Sequence, residues 1–257
     1  MTESRVKKSI LNARVNLIFY FLSLGLSFFS RKIFLENLGA DFIGLSGTLV
    51  NILGFLSLAE MGIGTAVAYN LFKPLQEKDT EKINDIISVL GFLYKKIGIF
   101  IFIAALIISG FLPFIFKETI IPIGIIYFAF FSILFSSLCS YFINYKQILL
   151  TADQKNYLVT KYLQSALLLK TIIQIIIAYT LQNYYLWIAL EIIAATLSCV
   201  LLNWKINKEY TWLKVSISRG KEAYPKNMQI ITHTKQIFIH KFKDFLLSQS
   251  DQILIFA

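Results

Sequence analysis

Four charged residues lie inside long apolar stretches of this 257-residue chain: Arg31, Glu60, Lys170 and Glu191. Ionisable groups among apolar residues are costly to bury, and they commonly mark ligand or ion sites. An arginine guanidinium has the planar fork that suits phosphate oxygens, whereas carboxylates and lysines suit cation binding, proton movement or an ion pair. These four residues are therefore the first candidates for function.

Arg31 admits two interpretations. It lies with Lys32 at the end of the first apolar stretch, where a long basic side chain can extend to lipid headgroups. Alternatively, Arg31 faces an internal cavity and contacts a phosphate there. The headgroup interpretation is favoured more strongly for Lys32 than for Arg31.

Glu60 is the only charged residue in the 31 residues from Phe42 to Phe72. It lies 13 residues before Lys73. If Lys73 marks the membrane boundary, Glu60 lies about 20 Å inside the membrane along a helix. Its short side chain must therefore face a partner, a cavity or water, or be protonated. Gly62 and Gly64 follow, and they allow a neighbouring helix to approach closely or the helix to bend. A role in transport and a role in packing both stay open.

Lys170 and Glu191 lie on either side of a short link at Gln182–Asn183. Counted from that link as antiparallel helices, they lie about 18 and 12 Å deep. The two side chains are therefore predicted to meet. A buried pair that fixes the two helices is favoured over direct contact with a substrate.

Other chemistry has no visible basis in the sequence. There is no phosphate-binding glycine loop, no His-Glu-x-x-His and no Gly-x-Ser-x-Gly. Cys139 and Cys199 lie within apolar runs, and His233 and His240 lack further ligands nearby. We therefore expect no catalytic residue, metal site or cofactor, and no enzymatic activity.

Composition identifies the elements that must hold these residues. Hydrophobic residues make up 56% of the chain and charged residues 16%, with a mean hydropathy of +0.65. Soluble domains have about 25% charged residues, so this chain is predicted to be an integral membrane protein. The net charge of +10 is spread between apolar segments, which argues against a nucleic-acid partner.

Six stretches are long and apolar enough to cross a bilayer as helices, and each needs about 20 residues. The first follows a basic start but lacks a small-residue cleavage site, so it is interpreted as an uncleaved span. The predicted fold is all-α, a polytopic membrane bundle with spans at 15–35, 42–68, 97–116, 120–143, 162–181 and 184–204.

The links between the spans alternate in length and charge. The N-terminus and the long links carry 19 Lys and Arg residues, against 3 on the opposite side. This bias predicts a cytoplasmic N-terminus. Residues 1–206 form the predicted six-helix lobe and residues 207–235 a cytoplasmic connection. Residues 236–257 read as the beginning of a seventh span, which suggests a truncated chain.

The stretch "RKIFLENLGADFIGLSGTLVNILGFLSLAEMGIGTAVAYNLFKPLQEKDTEKIN" (31–84) resembles the start of bacterial polysaccharide biosynthesis transporters. These are lipid-linked oligosaccharide flippases of the multidrug/oligosaccharidyl-lipid/polysaccharide exporter superfamily. "LLTADQKNY" (149–157) is similar to the link before span five of that family. "HKFKDFLLSQSDQILI" (240–255) is similar to the entry to span seven, with Asp251 at its polar position.

The resemblance implies the first of two six-helix lobes and alternating access without ATP hydrolysis. The implied cargo is an isoprenoid-diphosphate-linked oligosaccharide, such as an O-antigen, capsule or exopolysaccharide unit, in the bacterial cytoplasmic (inner) membrane. Membrane lipids and glycan polymerase or ligase machinery are the other implied partners. Arg31 and Glu60 become candidates for substrate binding, and Glu60, Lys170, Glu191 and Asp251 become candidates for gating or ion coupling.

Three alternatives stay open. A multidrug or ion antiporter of the same fold would lack the 31–84 block. A membrane-embedded glycan-assembly enzyme such as a polymerase would need a large outer loop, and the outer links here are short. The chain is otherwise an inactive half-transporter or one that dimerises.

Overall fold

The structure, a computed structural model, describes residues 5–56 and 62–227 together with positions 234, 237–239 and 243. Within these residues the fold is all-helical and contains no strand. Two single 3₁₀ turns, Asn144–Lys146 and Pro225–Asn227, accompany the α-helices. The α-helices are α1 (Arg5–Asn37), α2 (Ala40–Leu56), α3 (Ile63–Glu77), α4 (Thr80–Ser109), α5 (Leu112–Ile115), α6 (Ile123–Phe142), α7 (Gln147–Ala152), α8 (Asn156–Thr180), α9 (Tyr184–Glu209) and α10 (Ile217–Ala223).

Five of the helices in the described part of the chain are long and apolar enough to cross a membrane: α1, α4, α6, α8 and α9. The apolar helix α2 is shorter, with 17 residues. Large apolar side chains on α1 face outward, and Phe28 is 76% exposed. Such a surface is consistent with a multi-pass membrane protein, because lipid rather than water can cover it.

The links of the bundle separate into two ends. Asn12 on α1 hydrogen-bonds Tyr157 N at the start of α8, whereas Asn37 contacts Gln182 after α8 ends. The two helices are therefore parallel. The N-terminal part of α1 and the 143–155 and 210–216 links share one end, hereafter the long-link end. The turns at 38–39, 110–122 and 181–183 share the other, the short-link end.

Helix packing follows this polarity. α1 packs along α8, α8 along α9, α9 against α6, and α6 against α4, while α3 and α10 pack against α4 from the long-link end. One apolar core, which includes Leu71, Ile87 and Leu149, lies toward the long-link end. A second core, which includes Leu49 and Phe130, lies toward the short-link end.

The predicted second span, 42–68, is not one continuous helix. α2 ends at Leu56, and α3 begins at Ile63 after Gly62, whose φ is +95°. That left-handed conformation interrupts helical geometry, and glycine adopts it at little cost. The residues on the two sides of this break give no sign of it, because α2 and α3 both need apolar faces and these residues are therefore apolar.

The boundaries around the predicted third span also differ. Residues 97–109 of the predicted 97–116 span belong to the 30-residue α4, which begins at Thr80 with Asp79 as its N-cap and ends at Ser109. A separate short helix, α5, contains Pro113 near its start. The start of the predicted span is therefore continuous with residues 80–96 in one helix.

Residues 210–224 form a strap that packs on the first half of α4. The backbone N–H of Lys214 donates to Asn84 Oδ1 at 2.8 Å, and that of Ser216 donates to Ser88 Oγ at 3.3 Å. Arg219 Nη2 lies 2.6 Å from Glu81 Oε2, and its Nε lies 2.7 Å from Asp85 Oδ1. These two carboxylates raise the pKa of the Arg219 guanidinium.

Candidate functional site

A cavity of about 620 Å³ lies between α1, α2 and α8, with Trp187 of α9 at one edge. We name it the α1–α2 cleft. It exists because α1 packs along α8 and meets α2 only weakly beyond the turn that joins them. That turn contains Gly39, whose φ is +95°. The volume of the cleft is within the range of small-molecule sites, about 300–1,000 Å³.

Helical spacing explains how the sequence places polar groups in the cleft. Ser23, Ser27 and Ser30 follow one another at intervals of three or four residues, so they share one face of α1. Ser46 and Gly47 occupy the facing side of α2. Thr171 and Gln174 complete the polar lining from α8. The remaining wall is mostly apolar.

Arg31 lines this cleft. It is an exposed residue, and no carboxylate among the described residues pairs with it. Lys32 instead lies outside the cleft, with its Nζ 3.9 Å from Glu36 Oε1 on the exposed surface. Arg31 therefore borders the cleft without a carboxylate partner, and the cleft can receive an anion at this position.

An aromatic cluster forms the wall at the short-link end of the cleft. The ring centroids of Phe34 and Trp187 are 4.8 Å apart, and Tyr184 stacks on Phe42 at 4.2 Å. Tyr184 also shares a 2.8 Å hydrogen bond with Ser46 across α2 and α9. These contacts hold α1, α2 and α9 together at this end of the cleft.

Lys170 and Glu191 meet as the spacing predicts. Lys170 Nζ lies 2.6 Å from Glu191 Oε1, and the side chains are 13% and 21% exposed. Gln174, only 3% exposed, donates from Nε2 to the Trp187 carbonyl at 3.0 Å and lies 3.4 Å from Glu191 Oε1. Because Gln174 also lines the cleft, it connects the cleft to the ion pair.

Of the other predicted site residues, Gly62 and Gly64 are described and do not line the cleft. Glu60 and Asp251 lie outside the described residues. Gly62 precedes α3, and a Cβ there would lie 3.1 Å from Phe238 N, so this backbone approach is close. A Cβ at Gly64 would meet Tyr94 Oη at 3.5 Å and Ile148 Cδ1 at 3.8 Å, both ordinary contacts.

A charged cluster at the long-link end was not predicted from the sequence. Asp153 accepts from Lys8 at 2.9 Å, from Lys155 at 2.8 Å and from the Tyr210 hydroxyl at 2.8 Å. Burial alone would raise the pKa of Asp153, but these three donors outweigh it and lower that pKa. Lys155 also reaches Glu209 Oε1 at 3.0 Å, so the cluster joins α1, the α7–α8 link and α9.

Comparison with protein-family models, curated proteins and solved structures finds no match for this chain. Within the described residues, no group of three or more His, Cys, Asp or Glu side chains is arranged to hold a metal ion. The described lining of the α1–α2 cleft offers one cation without a carboxylate partner, several hydroxyl groups and apolar walls.

Proposed function

We propose that this chain is a transporter-type protein of the bacterial cytoplasmic membrane that moves isoprenoid-diphosphate-linked oligosaccharide between leaflets by alternating access. The observation that carries the proposal is the α1–α2 cleft with Arg31 in its wall. The resemblance of residues 31–84 to lipid-linked oligosaccharide flippases supports the same assignment.

The chemistry of the cleft corresponds to the three parts of such a cargo. A guanidinium without a carboxylate partner suits a diphosphate. Hydroxyl and amide groups suit sugar hydroxyls, and apolar walls open toward lipid suit an isoprenoid chain. Transport of this kind needs binding and a conformational change, with no covalent step.

The proposed topology has six spans, with α2 and α3 together as the second. The basic residues concentrate at the long-link end, and this bias supports a cytoplasmic location for this end and the N-terminus. The Lys170–Glu191 pair, connected to the cleft through Gln174, is the candidate for gating. Glu60 and Asp251 stay further candidates from the sequence.

Blocking the cleft tests the proposal. A Cβ at Gly47 meets no atom within 4 Å, so Gly47→Phe fills the cleft without a clash at its base. Gly44→Phe is a matched control on the same helix, with equal free space but outside the cleft. In proteoliposomes, we expect Gly47→Phe to reduce translocation of a fluorescent polyprenyl-diphosphate disaccharide to background and Gly44→Phe to retain it.

The charge at Arg31 is tested in the same assay. Loss of a charge-assisted contact to phosphate is expected to weaken binding of the disaccharide lipid about tenfold in Arg31→Gln. Lys32→Gln, which removes a neighbouring charge outside the cleft, should bind like the unmodified protein. The proposal is abandoned if the unmodified chain neither binds nor moves this lipid, or if it moves cationic drugs instead.

A further inference from the structure

The α1–α2 cleft has the length of one membrane leaflet. Its lining on α1 extends from Ser23 to Phe34, which is 11 helical residues or about 16 Å. Half of a typical hydrocarbon core is about 15 Å. The cleft therefore extends from the short-link end to about the middle of the bilayer.

Among the residues that the structure describes, Arg31 is the only charged one in the lining of the cleft. Arg31 is six residues before Asn37, where α1 ends at the short-link end. This is about 9 Å along the helix, a depth from which a long arginine side chain can extend to the phosphate layer. No carboxylate lines the cleft among the described residues.

Below Arg31 the walls are mostly apolar, and the hydroxyls of Ser27 and Thr171 there donate to backbone carbonyls of their own helices. Leu26 on α1, Val50 on α2, and Leu167 and Leu168 on α8 face the cleft toward the middle of the bundle. Because most of these polar groups already donate to protein carbonyls, water in this space would find few free partners, and an acyl chain is the favoured occupant. One end of the cleft thus suits a phosphate, and the rest suits a hydrocarbon chain.

We infer that the cleft binds one anionic phospholipid from the leaflet at the short-link end. The phosphate lies on Arg31, and one acyl chain follows the apolar wall toward the bilayer middle. An anionic headgroup is favoured over a zwitterionic one because the described part of the lining offers a cation and no carboxylate for an amine. This lipid is a component of the membrane itself, so the inference does not depend on transport of a glycan.

Native mass spectrometry of the purified full chain tests this site. The probes are phosphatidylglycerol and phosphatidylcholine with identical acyl chains, added in equal amounts to the delipidated protein. We expect one phosphatidylglycerol to be retained with at least about tenfold preference, and Arg31→Gln to remove that preference. Gly47→Phe should abolish retention of either lipid, while Lys32→Gln and Gly44→Phe should bind normally.

Three outcomes would overturn the inference: equal retention of the two lipids, unchanged preference in Arg31→Gln, or equal losses in Gly47→Phe and Gly44→Phe. Arg31→Lys keeps the charge and is expected to keep part of the preference, which guards against a folding defect in the neutral variant. A chain that binds the disaccharide lipid but not phosphatidylglycerol retains the transport proposal and refutes this one. A chain that binds phosphatidylglycerol but not the disaccharide lipid retains this inference and refutes the transport proposal.

Discussion

At the scale of single residues, the Lys170–Glu191 pair is the most consequential contact in the membrane-length helices. Its side chains are mostly buried, and the separation of 2.6 Å leaves no space for water between the charged atoms. Charges at such depth are tolerated when they pair, because pairing offsets the cost of removing them from water. Gln174 adds a second donor to Glu191 from the same helix face.

Glu191→Gln should therefore destabilise the chain strongly. It leaves the Lys170 ammonium buried without a carboxylate, and removing one partner of a buried pair typically costs about 3–5 kcal/mol. We expect a clearly lower unfolding temperature in detergent. The double variant Lys170→Leu with Glu191→Leu removes both charges and should unfold close to the unmodified protein.

Exchanging the two charges separates packing from gating. Lys170→Glu with Glu191→Lys should recover most of the stability that either single change loses. If transport recovers as well, the pair only holds α8 against α9. If stability recovers and transport does not, the order of the charges matters for gating. Failure of the exchange to rescue either single variant would refute the pairing itself.

At the scale of elements, the strap formed by residues 210–224 depends on one glycine. A Cβ added at Gly220 would lie 2.1 Å from the Ser88 carbonyl oxygen and 3.0 Å from Phe92 Cβ. The first distance is far below van der Waals contact with rigid backbone, so α10 has to move away from α4. Its other anchors, through Asn84 and Arg219, depend on the same close approach.

Gly220→Ala is expected to release the strap while the membrane-length helices stay folded. Trypsin should then cut at Lys214, Arg219 or Lys221 several times faster than in the unmodified chain, because local unfolding exposes backbone to proteases. Ser218→Ala changes an exposed residue of the same helix and should leave the cleavage rate unchanged. Equal rates for the two variants would show that the close contact does not hold α10.

Some elements could be predicted from sequence and others could not. The Lys170–Glu191 contact followed from counting residues outward from a short link, since antiparallel helices fix relative depth. Gly62 indicated either a bend or a close helix contact, but the sequence could not decide that the helix is interrupted there, because glycine also occurs within continuous membrane helices and the flanking residues are apolar on both sides. The strap, the Asp153 cluster and the cleft depend on residues far apart in sequence, whose meeting requires the tertiary packing of α4, α8 and α9.

At the scale of the whole molecule, the two ends of the bundle differ both in charge and in the length of their links. The long, basic links gather at one end of the bundle, and the short links and the aromatic cluster gather at the other. The α1–α2 cleft reaches the short-link end, so it faces only one leaflet. If the basic end is cytoplasmic, the cleft faces the outer leaflet, where a lipid-linked glycan would be released.

This orientation can be measured with single cysteines. Lys117 and Lys226 are exposed and lie at opposite ends of the bundle, whereas the native Cys139 and Cys199 are buried and should label little. In intact cells, a membrane-impermeant maleimide should label Lys117→Cys, while Lys226→Cys should react only after permeabilisation. The opposite pattern would reverse the topology and place the cleft in the cytoplasmic leaflet. Labelling of both positions from one side would contradict the two-ended arrangement of the bundle.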